Sequence, residues 1–209
     1  MSGGEIIINQ ATNGGEGNGF SLGIGANKEN VSVTGGTIRV QIRNRNANIA
    51  TTTPFWNLIV EDFSGGAFSS TNQTFTSTAA DASTILAQDI IVYNNFTIGA
   101  NSRFIANNLD VSIGADFNVN AGSTYTPGTN TTIFNGNGAQ SLTYSGTITT
   151  GLNNLSLSEK ADLTLAGAQT TLAVRGNLVI GSGTTLRDNG RLITFAGNIT
   201  NSGTHFRPA

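Results

Sequence analysis

"GNLVIGSGTTLRDNGRLITFAGNITNSGTHF" (residues 176–206) states one phrase twice. Gly176-Asn177-Leu178-Val179 returns as Gly197-Asn198-Ile199-Thr200, and Ser182-Gly183-Thr184 returns as Ser202-Gly203-Thr204. The order of residues is kept across the repeat, and order decides the architecture. In a hairpin or meander successive strands run antiparallel, so equivalent residues would mirror one another. A repeat with preserved order stacks each strand parallel on its counterpart one coil later.

The same spacing extends toward the N-terminus. Ile90 and Val111, Val92 and Ile113, Phe96 and Phe117, Ile98 and Val119, and Phe104 and Tyr125 all stand 21 residues apart. Leu157, Leu178 and Ile199 continue the interval, as do Leu165 with Leu186, Leu172 with Ile193 and Val174 with Phe195. These residues sit in short alternating runs such as Phe20-Ser21-Leu22, Val31-Ser32-Val33, Ile38-Arg39-Val40 and Leu163-Thr164-Leu165, each a strand with one buried face. Gly, Asn and Ser punctuate the runs where turns need them. Helical periodicity is nearly absent; "STILAQDIIVY" (83–93) comes nearest and ends in β-branched residues. The pattern predicts an all-β chain, a right-handed parallel β-solenoid (β-helix) with coils of about 21 residues and three short strands per coil. About ten coils at the strand spacing of about 4.8 Å would make a rod of about 48 Å. The alternative is a β-sandwich, in which "TIFNGNGAQSLTY" (132–144) forms a hairpin.

A longer likeness overlies the short one. "PFWNLIVED" (54–62) resembles "GLNNLSLSE" (151–159), and "DIIVYNNFTIGANSRF" (89–104) resembles "TLAVRGNLVIGSGTTL" (171–186). Residues 1–209 are thus read as one elongated domain with related halves at 54–126 and 131–206. Residues 64–83, polar, small and Thr-rich, read as an inserted loop.

Charged residues make up 11% of the chain, against about 25% in an average soluble domain. Ten Lys and Arg residues and a net charge of −2 argue against nucleic acid as a partner, since phosphate binding needs clustered cations. Arg39, Arg43 and Arg45 form the densest basic spot and read as a solvated strand face. With no cysteine and one histidine, disulfides and Cys/His metal centres are excluded. No segment approaches the 18–20 apolar residues of a membrane helix, and "MSGGEIIINQ" lacks the plan of a signal peptide, so neither insertion nor a leader is expected. No cofactor is expected.

β-Solenoids also carry enzymes, so carboxylate pairs matter. Asp89 and Asp110, 21 residues apart, would stack on adjacent coils. A stacked pair could bind Ca²⁺ or serve as the two acids of a retaining glycosidase. The plainer reading makes both part of a solvated face before an apolar strand. Arg103 is a loose companion. Glu61 and Asp62 are adjacent in a strand and point apart. His205 lies in what reads as a fraying tail, a poor place for a triad. "GGEGNGF" (14–20) lacks the Asp of a calcium repeat and the Lys of a P-loop, and reads as a turn. Asn-x-Ser/Thr triplets such as Asn72-Gln73-Thr74 follow from composition. Thr-rich "TFTST" (74–78) suggests ice binding only weakly, because the next coil offers Asn95-Phe96-Thr97 in place of Thr-x-Thr. Trp56 is either a sugar-stacking ring or a packed coil corner. Neither terminus reads as a cap: Ile199 and Phe206 continue the repeat, and "GGEIIINQ" carries three consecutive isoleucines. Both ends are therefore expected to pack on neighbouring domains or on other copies, end to end.

"TTIFNGNGAQSLT" (131–143), "LNNLSLS" (152–158) and "VRGNLVIGSGTTLRDNGRLITFAGNITNSGT" (174–204) resemble repeats in very large surface proteins of the Bacteroidetes, including gliding-motility adhesins and other cargo of the type IX secretion system. The likeness is best over 131–206, fair over 54–126 and weak before residue 50. It implies a structural and adhesive segment of a long exported cell-surface or filamentous protein, with surface glycans among its contacts. The sorting domain such proteins usually carry has no counterpart in "THFRPA", which suggests a segment of a longer chain or another kind of β-solenoid. The alternatives are a β-helix polysaccharide lyase or hydrolase and a phage-fibre segment.

Overall fold

The computed structural model describes residues 1–9, 21–24, 31–42, 46–62 and 83–208. Arg43, Arg45, "GGEGNGF" and residues 64–82 fall outside them. Among the described residues every element is a strand, and every pairing between strands is parallel. No helix among them is long and apolar enough to cross a membrane.

The strands stack into three long sheets. The first holds nine: β1 (Ser2–Asn9), β3 (Gly35–Ile42), β5 (Asn57–Asp62), β8 (Phe96–Ile98), β11 (Phe117–Val119), β14 (Ala139–Tyr144), β17 (Asp162–Ala166), β20 (Thr185–Arg187) and β23 (Thr204–Phe206). The second holds six: β7 (Ile90–Val92), β10 (Val111–Ile113), β13 (Thr131–Phe134), β16 (Asn154–Leu157), β19 (Leu178–Ile180) and β22 (Ile199–Asn201). The third also holds six: β2 (Ser21–Ile24), β4 (Ala47–Thr51), β6 (Thr84–Leu86), β9 (Arg103–Ile105), β12 (Thr124–Thr126) and β15 (Thr147–Ile148). Beyond β15 the third side passes to a separate pair, β18 (Thr171–Val174) and β21 (Leu192–Phe195). The chain visits the second, first and third sides in turn, so from Ile90 onward it completes about six turns of a β-solenoid. The β-sandwich alternative fails here: β13 and β14, its supposed hairpin, lie in different sheets.

Each short strand alternates buried and partly exposed positions, and its buried side chains face the axis. Parallel pairing lays like on like. Phe96 lies on Phe117 with ring centroids 4.8 Å apart and planes within 3°, and Phe104 lies on Tyr125 at 5.9 Å. Edge-to-face contacts of 4.9 Å (Phe96–Phe104) and 5.3 Å (Phe117–Tyr125) join the two columns. Each such pair contributes about 0.5–1.5 kcal/mol beyond its burial.

Corners need left-handed backbone, and Asn or Gly supplies it. Asn101 (φ 60°) is followed one coil later by Gly122 (φ 74°), where a Cβ would fall 2.3 Å from Asn101 Oδ1. Asn108 (φ 67°) and Gly128 (φ 72°) repeat the arrangement.

Two registers differ from the 21-residue rule. Leu178 pairs with Leu155 rather than Leu157, and Leu186 with Leu163 rather than Leu165, because these coils span 23 residues. A slip of two leaves every apolar side chain on the same face, so the hydrophobic pattern alone cannot detect it. The coil from Asn57 to Asn95 spans 38 residues and contains the Thr-rich segment. The longer likeness joins different sides of the rod: Leu58 is in the first sheet and Leu155 in the second.

Candidate functional site

Asn and Asp side chains at the corners link one coil to the next. Before the second sheet, Asp89 Oδ1 accepts the Asp110 backbone N–H at 2.7 Å, and Asp110 Oδ1 accepts the Thr131 N–H at 2.7 Å. Farther along the same corner Asn154 Oδ1 accepts the Asn177 N–H (2.8 Å) and Asn177 Oδ1 the Asn198 N–H (3.0 Å). A second column precedes the first sheet, from Asn57 to Asn95 (3.2 Å), Asn95 to Asp116 (3.1 Å) and Asp116 to Ser141 (2.8 Å). Asp89 and Asp110 therefore occupy places that Asn fills elsewhere, each with a carboxylate oxygen on a backbone amide. Among the described residues no group of three or more His, Cys, Asp or Glu side chains could hold a metal ion. The signal for this column was present in the sequence: Asn177 and Asn198 hold one place in the repeated phrase.

The other residues singled out above are dispersed. Trp56 is half-buried at the corner between Phe55, which bridges to Val92, and Asn57, and its carbonyl accepts the Asn94 N–H at 2.9 Å. Arg103 opens β9 in the third sheet, opposite Thr124. Arg39 is engaged on the outer face, with Nε 2.8 Å from Glu5 Oε1 and Nη1 2.7 Å from Glu61 Oε2. Inside the core, Tyr125 Oη lies 3.2 Å from Thr132 Oγ1 and accepts a hydrogen bond from Asn130 Nδ2 at 3.0 Å. Burial pushes this phenol from its usual 10.0 up to about 12.

His205 is not in a fraying tail. It lies in β23, in register with buried Leu186, and its Nε2 is 3.1 Å from Oδ2 of buried Asp188. The other Asp188 oxygen accepts the Gly190 N–H at 2.9 Å. Pairing with β20 and this buried carboxylate hold the segment in place.

His205 belongs to the most open feature of the described chain, the C-terminal mouth of the solenoid. A concavity of about 270 Å³ opens there, floored by Leu178, Ile180, Ile193 and Ile199 and edged by Asp188, Arg191 and Arg207. Leu192 (53% exposed), Phe195 (50%), Ile199 (46%) and Phe206 (48%) face outward from the last coil, although their counterparts one coil earlier in the second and third sides are buried. β21, β22 and β23 each end their sheet. At the opposite end β1 is the edge strand of the first sheet, with Ile6 (50%) and Ile7 (49%) exposed. The arrangement offers apolar contact and backbone pairing at both ends. It gathers no set of acid, base and nucleophile.

No protein-family model, curated protein or solved structure matches the chain.

Proposed function

We propose that this chain is a structural and adhesive segment of a long exported protein at a bacterial cell surface or in an extracellular filament. In this role it is a stiff rod whose faces and ends make its contacts, with neighbouring domains, other copies and surface glycans as partners. The observation that carries the reading is the continuous apolar column ending in an open, strand-edged mouth, an end suited to continuation. The low charge and the likeness to surface-protein repeats support it. The enzyme alternative would need Asp89 and Asp110, and each of these already has an oxygen bound to a backbone amide of the next coil.

The test sets retention against turnover. Beads coated with the chain are passed over surfaces bearing bacterial polysaccharides, and released product is assayed in parallel. Retention without product is the expected result. Depolymerisation that vanishes in the Asp89→Asn/Asp110→Asn double variant would establish the enzyme instead.

A further inference from the structure

The two terminal strands of the first sheet carry a matched irregularity on their outer face. Along this sheet the outward positions are mostly polar: Arg39, Thr97, Asn118 and Thr143 in one column, Thr164 and Arg187 in the other. At the two edges the outward residue is apolar and half-exposed. Ile7 is in register with Arg39 on β1, and Phe206 is in register with Arg187 on β23. The inward positions are complementary as well. Ile6, in register with buried Ile38, faces the axis at one end, while the concavity of about 270 Å³ opens on the axis at the other.

We infer that the partner of the C-terminal mouth is the N-terminal end of a second copy of this chain, joined by parallel pairing of β23 with β1. The sheet itself sets the geometry. All nine strands run in one direction, so a second copy displaced along the axis presents β1 to β23 in the parallel sense already used throughout. Keeping inward residues inward brings Ile6 over the concavity. It also places Ile7 and Phe206 on the same outer surface, directly opposite or one diagonal apart, within side-chain reach. Pairing satisfies edge groups that otherwise face water and covers apolar side chains that otherwise stay exposed. A head-to-tail contact of this kind does not close, so it propagates into a filament.

This inference rests on the rod reading, and its test is read separately from polysaccharide turnover. Sedimentation of the whole chain over a concentration series should show stepwise growth. Ile7→Lys and Phe206→Glu each place one charge at an already exposed position, so each variant should keep its native circular dichroism. Either variant alone should need at least about tenfold more protein for the same association. Mixed together, the two should recover it, because the introduced ammonium of one copy then faces the introduced carboxylate of another. A wild-type chain that stays monomeric at all concentrations overturns the inference. So does association that is unchanged in both single variants, or a mixture no better than its components.

Discussion

Tyr125 shows how a residue choice inside a repeat becomes a pH limit. Its column is otherwise occupied by Phe104, so a hydroxyl has been placed where the neighbouring coil has none. Thr132 and Asn130 answer that hydroxyl in the core. Because burial raises the folded pKa from 10.0 to about 12, the fold favours the protonated phenol. The associated stability is complete below pH 10 and falls as pH rises through the interval up to about 12, with a full loss of about 2–3 kcal/mol. Tyr144, whose pKa burial also raises, adds to the same alkaline slope. Urea midpoints measured between pH 8 and 11.5 should therefore fall less steeply in Tyr125→Phe than in the wild type. At neutral pH that variant should lose about 1 kcal/mol with its hydrogen bonds. An unchanged alkaline slope would show that the phenol ionises without strain.

Among the elements, the corners are as specific as the strands. The column from Asp89 through Asp110 to Thr131 needs an acceptor at each place, and a charge is incidental. Asp89→Asn/Asp110→Asn keeps both acceptors and relieves like-charge repulsion, so stability should shift by less than about 1 kcal/mol. Asp89→Ala/Asp110→Ala leaves two amides without partners and should cost about 2–4 kcal/mol. Equal losses in both double variants by chemical denaturation would disprove the ladder. Strand direction and face were legible in the sequence, since apolar residues alternate within runs and recur in preserved order. Register was legible only where coils keep 21 residues; at Leu155–Leu178 the corner lengthens by two and the alternation hides it. The open ends were legible from Ile199, Phe206 and the isoleucine run. The His205–Asp188 pair was not, because their 17-residue separation departs from the coil interval and depends on how the last turn closes.

On the scale of the molecule, each coil touches chiefly its two neighbours, so stability is a sum over adjacent interfaces rather than a property of one shared centre. The middle turns, with the four-ring cluster of Phe96, Phe104, Phe117 and Tyr125, have neighbours on both sides. The last turn has one. Amide hydrogen exchange should therefore slow from β21–β23 inward to β8–β12, and the gradient should flatten at concentrations where copies associate. Uniform protection along the rod would instead indicate a single cooperative unit.

The direction of the ladder hydrogen bonds has a mechanical consequence. They run from coil to coil, along the line joining the two ends, so tension applied at the ends loads them in line and peels one rung before the next. Each coil of 21 residues that comes free releases up to about 70 Å of chain. Under pull the molecule yields in equal increments, lengthening turn by turn while the remaining turns stay wound, and so acts as a tether that absorbs a jerk without parting.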